Sequence, residues 1–168
     1  MTPNATERST PRVDAVIPVY NEEENLPVLI PQIAEVLGPS GKTYEMIFVD
    51  DGSKDRSRQI LKEMAVQYPQ IRILGFKKNC GETAAGAAGI KEAQGGVIIT
   101  IDADLQNDPK DIPRMLDHLE EYDMVTGWRQ KREDPWLKRI STKIANAVRN
   151  RLSGETINDS VCPLRVFR

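Results

Sequence analysis

Only two cysteines, Cys80 and Cys162, occur in the 168 residues, so there is no disulfide framework, and the count suits a reducing compartment. No apolar run approaches the length of a membrane-spanning helix, and the first residues lack the apolar core of a signal peptide. Two glycine signatures of phosphate binding are also missing. The first strand-to-helix turn lacks the dinucleotide spacing, and no phosphate-cradling P-loop appears. The single histidine, His118, lies mid-helix between Leu116 and Leu119, where a surface residue is expected rather than a general base. Internal repeats and a linker between two domains are absent as well.

What remains is a chain of single-domain size with 29% charged residues, as a soluble globular fold requires. Residues 1–11 read as a disordered leader and residues 12–168 as one domain. The net charge of −2 conceals an asymmetry. Residues 128–152 carry eight basic side chains against Glu133 and Asp134, a local balance of +6, which leaves −8 on the rest. An acidic body with one basic segment points to a localised anionic partner rather than to general nucleic-acid binding.

Apolar runs alternate with helix-period segments along most of the chain. Strands are expected over residues 13–19, 44–49, 71–76, 97–101 and 122–127, and helices over 23–37, about 55–67, 81–93 and 111–121. The first helix carries Leu26, Leu29, Ile30, Ile33 and Leu37 at three-to-four spacing; the third is rich in alanine and glycine and can pack close to a sheet. Ser53 or Asp55 can cap the second. This alternation predicts an α/β fold, a mostly parallel sheet with helices on both faces.

The most informative stretch is Ile98-Ile99-Thr100-Ile101-Asp102-Ala103-Asp104-Leu105-Gln106. A buried parallel strand reads as such an apolar run, and side chains two residues apart share a face. Asp102 and Asp104 should project together from the carboxyl end of a central strand, where open α/β sheets bind ligands. A divalent cation relieves their repulsion, and Mg²⁺ or Mn²⁺ held by carboxylates and substrate phosphates is the expected arrangement. Two solvated aspartates in a turn explain the same residues. Upstream, strand one ends in Pro18-Val19-Tyr20-Asn21-Glu22, where Tyr20 offers a face for a base to stack on. Strand two ends in Asp50-Asp51-Gly52-Ser53, where one carboxylate can accept from a base N–H. Read singly, each is also a strand-end turn or a helix cap. Together they bring polar groups to one sheet edge.

These three segments resemble the signature series of family-2 glycosyltransferases, and more narrowly the polyprenyl-phosphate group that acts on dolichyl or undecaprenyl phosphate. The residues 78–85, Val125-Thr126-Gly127-Trp128-Arg129, Ser141 with Ala145-Asn146, and 159–165 match in order too, so the resemblance runs from Val13 to Arg168. It is similar above all to the bacterial enzymes that load aminoarabinose or glucose onto the lipid carrier. The resemblance implies a GT-A type, Rossmann-like fold and an inverting transfer of sugar from a UDP- or GDP-linked donor to the lipid phosphate. It implies Mg²⁺ or Mn²⁺ as cofactor.

By position, the resemblance assigns the donor to Pro18, Tyr20, Glu22, Asp51, Asn79, Gly81 and Asp102, and the metal to Asp104 and Gln106 with Asp102 beside them. It implies Arg129, Arg139, Ser141 and Arg165 around the acceptor, and a catalytic group of Asp104, Arg129, Asp159 and Arg165. Two departures stand out. The family more often has glycine near Val161, which puts the acceptor loop at Asp159 in doubt, and Gly95-Gly96 stands where the family usually has Gly-Asp, the loss of a turn cap.

The basic segment then gains a role. Trp136, Leu137, Ile140, Ile144, Val148 and Leu152 recur at helical spacing with cations on the other faces, a pattern that suits a membrane interface. A surface helix packed on the sheet has the same pattern. The expectation is therefore a cytoplasmic protein peripheral to the membrane face, truncated at its C-terminus relative to the family, with a homo-oligomer possible. Two other classes compete. One is a catalytically silent module that binds nucleotide-sugar or lipid phosphate. The other is an aspartate-nucleophile phosphatase, disfavoured because those enzymes carry the aspartate pair on their first strand.

Overall fold

The computed structural model describes residues 12–127 and 162–168. Six strands form one sheet: β1 (Val13–Val19), β2 (Tyr44–Asp50), β3 (Ile71–Gly75), β4 (Val97–Thr100), β5 (Met124–Thr126) and β6 (Arg165–Phe167). Among the described residues four α-helices connect them: α1 (Leu26–Leu37), α2 (Ser57–Gln67), α3 (Glu82–Glu92) and α4 (Ile112–His118). The strand order is β3-β2-β1-β4-β6-β5. β1 pairs in parallel with both β2 and β4, and β2 with β3, while β6 runs antiparallel between β4 and β5.

The five expected strands and four expected helices are all present, so the predicted α/β architecture with a mostly parallel sheet holds. α1 begins three residues later than its apolar spacing suggests. The chain turns first through Glu22–Asn25 backbone bonds, and Pro27 then occupies the first helical turn, where its missing N–H is no loss. α4 is shorter than expected and is preceded by a 3-10 turn, Pro109–Asp111, capped by the Asp108 side chain. β6 is an addition to the expected fold.

Side chains alternate strictly across β1. Val13, Ala15, Ile17 and Val19 face the main core, against Leu26, Leu29, Ile30 and Ile33 of α1 and Ile112 and Met115 of α4. Val16 faces the opposite side with Ile47 and Val49 of β2 and Ala85 of α3. That side is thin because α3 is made of small residues. A Cβ placed on Gly89 would lie 2.3 Å from Val16 Cγ1, so the backbone of the helix rests directly on the sheet.

The amino-terminal edge of the sheet is held by charge. Asp14, fully buried, accepts from Arg12 Nε at 2.7 Å and from the backbone N–H groups of Gln94 and Gly95 at 2.7 and 2.8 Å. Burial pushes the Asp14 carboxyl up, but these hydrogen bonds outweigh it and hold it below its usual value. Beside the Gly95-Gly96 pair, where the loss of a turn cap is expected, the Gln94 and Gly95 N–H groups are capped from β1. Gly95 is needed there because a Cβ would meet Arg12 O at 2.6 Å.

Candidate active site

At the carboxyl edge of the sheet the ends of β1, β2 and β4 and the loop before α3 surround a cleft of about 370 Å³. Its walls are Pro18, Val19, Tyr20 and Glu22 from β1 and its loop, Asp51 from β2, Asn79, Gly81 and Glu82 from the β3–α3 connection, and Asp102, Ala103 and Asp104 after β4. All seven residues expected on the donor side therefore line one cavity. Tyr20 is 40% exposed, so its ring is available to a planar ligand.

The two adjacent aspartates after β2 have different tasks. Asp50 closes its own turn, accepting from Ser53 N–H at 2.9 Å. Asp51, nearly fully buried, reaches across to the next loop: one oxygen accepts from Cys80 N–H at 2.7 Å and the other from Gly81 N–H at 2.8 Å. Each carboxylate oxygen retains a lone pair for a further donor. The primary work of Asp51 is thus to fix the Asn79–Gly81 backbone that walls the cleft. Gly52 makes this approach possible. Its φ is +71°, and a Cβ there would lie 2.6 Å from the carbonyl carbon of Lys78.

β4 ends at Thr100, and Asp102 and Asp104 stand in the turn beyond it rather than on the strand. The two-residue alternation nevertheless persists: Ile101 and Ala103 are buried, and both aspartates reach the cleft. Leu105, at φ +59°, reverses the chain, and Gln106 N–H donates to Asp104 Oδ1 at 3.1 Å. The structure does not bring the Gln106 side chain into the cleft wall; its contact with Asp104 is through the backbone.

Among the described residues, five carboxylates, Glu22, Asp51, Glu82, Asp102 and Asp104, and no Lys or Arg line the cleft. A phosphate charge about 4 Å from one carboxylate is repelled by roughly 4 kcal/mol at an effective dielectric of about 20. A nucleoside diphosphate placed against these carboxylates calls for compensating cations. Among the described residues no three His, Cys, Asp or Glu side chains stand close enough to chelate a metal by themselves. The Asp102–Asp104 pair thus fits a hard divalent cation that completes its shell with phosphate oxygens.

Arg165, at the start of β6, pairs with Thr100 of β4 and Thr126 of β5, so it stands on the same edge, beside the strand that leads into Asp102. Its Nε donates to the Cys162 carbonyl at 3.1 Å. Arg129, Arg139, Ser141, Asp159 and the basic helix pattern lie outside the described residues. His118 is exposed on α4 and takes no part in the cleft. Glu82 is a cleft residue that reading the sequence did not single out; its place at the start of a helix looks like simple dipole matching. Among the described residues no helix is long and apolar enough to cross a membrane.

Residues 14–168 match glycosyl transferase family 2, and the chain belongs to that family. It is 40% identical over 159 residues to the undecaprenyl-phosphate 4-deoxy-4-formamido-L-arabinose transferase of Edwardsiella ictaluri (strain 93-146), covering 93% of this chain and 49% of that protein. The chain spans about half the length of the curated relatives it matches. Among solved structures it resembles glucosyl-3-phosphoglycerate synthase from Mycobacterium tuberculosis in complex with Mn2+, UDP-glucose and phosphoglyceric acid (TM-score 0.72, 18% identity, 94% of this chain and 56% of that one). It also resembles a mannosyltransferase from Pyrobaculum calidifontis in complex with GDP-Man and Mn2+ (TM-score 0.69, 20% identity, 94% and 44%). Identities this low bear on the fold alone, which is of the GT-A type.

Proposed function

We propose that this chain is the catalytic domain of an inverting, metal-dependent glycosyltransferase that moves a sugar from a UDP- or GDP-linked donor to a polyprenyl phosphate, undecaprenyl phosphate above all. The observation that carries this reading is the convergence of Pro18, Tyr20, Glu22, Asp51, Asn79, Gly81, Asp102 and Asp104 on one acidic cleft. The name of the Edwardsiella ictaluri relative supports the acceptor.

In this reading Tyr20 stacks on the base, and Asp51 and the loop it holds surround the nucleoside. Asp102 lies toward the ribose, with Asp104 at the diphosphate. A divalent cation would be held by Asp102 and Asp104, with Gln106 a weaker candidate ligand, and would supply positive charge against the diphosphate leaving group. The anomeric carbon–oxygen bond to the nucleoside diphosphate breaks, and a bond to an acceptor phosphate oxygen forms from the opposite side. A phosphate monoester has its second pKa near ~6, so the acceptor arrives already ionised and needs no general base. Arg165, with Arg129, Arg139 and Ser141, holds that phosphate against repulsion from the donor, and Asp159 borders it. The protein works at the cytoplasmic face of the membrane, where the lipid phosphate is reached.

The test is binding followed by turnover. Thermal shift with UDP and with GDP, each with and without Mn²⁺, should give stabilisation by one nucleotide that requires the metal. Nucleoside diphosphate should then be released from the matching nucleotide-sugar only when undecaprenyl phosphate is present. Metal-independent binding, or release of inorganic phosphate from a simple phosphoester, would overturn the proposal. Binding without turnover would mark a silent module.

A further inference from the structure

The cleft depends on one segment that has no regular structure of its own, residues 20–23, which carries Tyr20 and Glu22. Five hydrogen bonds tie it to the loop that leads into α2, and every one joins a side chain to a backbone group. Asn21 N–H donates to Ser53 Oγ at 3.0 Å, and Lys54 N–H returns the bond to Asn21 Oδ1 at 2.8 Å. Glu22 N–H donates to Ser57 Oγ at 2.7 Å. Glu23 N–H donates to Asp55 Oδ2 at 3.1 Å, and Arg56 N–H donates to Glu23 Oε2 at 2.9 Å.

Ser57 is the buried centre of this seam. Its side chain is wholly inaccessible, and its hydroxyl accepts from Glu22 while bonding to the Asp55 carboxylate. Burial pushes the Asp55 carboxyl up, and bonds from the Ser57 hydroxyl and from the Ser57 and Glu23 N–H groups outweigh it, so Asp55 stays an ionised acceptor. The seam is made of polar groups, apart from the apolar core. α1 and α2 already meet through buried Leu61 and the α1 apolar face. The bonds sit only at the carboxyl edge, under the two residues that reach the cleft. Asn21 holds φ +58° between them, a conformation that aims the side chains of Tyr20 and Glu22 and that its reciprocal bonds with Ser53 and Lys54 sustain.

We infer that Ser57 is a positioning residue: through Asp55 and the Glu22 amide it holds residues 20–23 in the geometry that receives the nucleoside, without touching the donor itself. This rests on the reading above that the cleft takes a nucleotide. Removing the hydroxyl leaves the part-buried Glu22 N–H without its acceptor. The loop then samples other arrangements, and affinity falls by the fraction of time it is misplaced.

The experiment compares wild type, Ser57→Ala, Ser57→Thr and Asn21→Gly, the last keeping the left-handed backbone while deleting an exposed part of the seam. Hydrogen exchange without ligand should be faster at residues 20–24 in Ser57→Ala and in Asn21→Gly and unchanged in β1 and β2. With UDP or GDP, whichever binds wild type in Mn²⁺, Ser57→Ala should raise Kd about fivefold or more. The Mn²⁺ concentration for half-saturation and kcat at saturating donor should not change, and Ser57→Thr should restore wild-type affinity. Unchanged exchange at residues 20–24 overturns the inference, as does an equal loss of metal and nucleotide affinity. If wild type binds neither nucleotide, the functional reading fails, and the exchange result alone decides the role of Ser57. Should Ser57→Ala not fold, Asn21→Gly carries the same comparison.

Discussion

Replacing Gly89 by alanine tests how tightly α3 is pressed onto the sheet, because two known effects of opposite sign compete there. Alanine is favoured over glycine in a helix interior by about 1 kcal/mol, so an unconstrained helix would be stabilised. In this fold the new Cβ would stand 2.3 Å from Val16 Cγ1 and 3.0 Å from Val49 Cγ2. Carbon pairs settle at about 3.5–4.0 Å, so α3 must retreat by roughly 1.2 Å or more. Val16 and Val49 are fully buried and β-branched, which leaves them little freedom to move aside. Overpacking of this kind costs about 1–3 kcal/mol, and two rigid partners place it at the upper end. The net expectation is destabilisation by about 1–2 kcal/mol, a fall in melting temperature of roughly 2–8 °C. Urea denaturation checks it by a lower midpoint with an unchanged slope. Val16→Ala removes the closer obstacle, so the double variant should be more stable than the sum of the single losses by about 1 kcal/mol or more. Because α3 begins next to Gly81 and Glu82, its retreat should also weaken nucleotide binding. A rise in melting temperature for Gly89→Ala, or strict additivity with Val16→Ala, would refute the claim that backbone contact sets the helix position.

Acid sensitivity should track Asp14. Its carboxyl is held below the ordinary value of 3.8, so its contribution is present above that pH and is lost as pH falls through the lower folded value. Asp14→Asn should cost about 2 kcal/mol at pH 7, with the gap to wild type closing below about pH 4 in acid-unfolding curves; a gap that persists there would contradict this. Gly52→Ala adds a left-handed alanine, at roughly 1–2 kcal/mol, to a 2.6 Å approach to Lys78 backbone. It should lower the melting temperature and abolish nucleotide binding, since Asp51 could no longer reach Cys80 and Gly81. Asp104→Asn, with its side chain at the cleft surface, should leave stability within about 0.5 kcal/mol while sharply reducing Mn²⁺-dependent affinity in calorimetry; unchanged affinity would remove Asp104 from the metal site.

The periodic parts of the fold were legible because burial writes them into composition. Alternate residues of β1 face two different cores, and α1 repeats Leu and Ile every three to four positions, so both can be placed from sequence alone. β6 could not. Three residues, Arg165–Phe167, carry no period, and their partners in β4 lie more than sixty positions away in the chain. The residues that line the cleft were legible as a set through resemblance, but their division of labour was not. Asp51 looked like a base acceptor, and both its oxygens turn out to hold the 79–81 loop. Gln106 looked like a ligand beside Asp104, and what it gives Asp104 is a backbone N–H. The seam under Tyr20 and Glu22 was hidden for a related reason. Asn21, Ser53 and Asp55 are ordinary turn formers and Ser57 an ordinary helix-start residue, each accounted for by its neighbours. Only the parallel pairing of β1 with β2, ending at Val19 opposite Asp50, sets the two loops side by side. Sheet register therefore does chemical work here: a slip between β1 and β2 would break the seam and move Asp51 away from Tyr20, pulling apart two walls of the cleft.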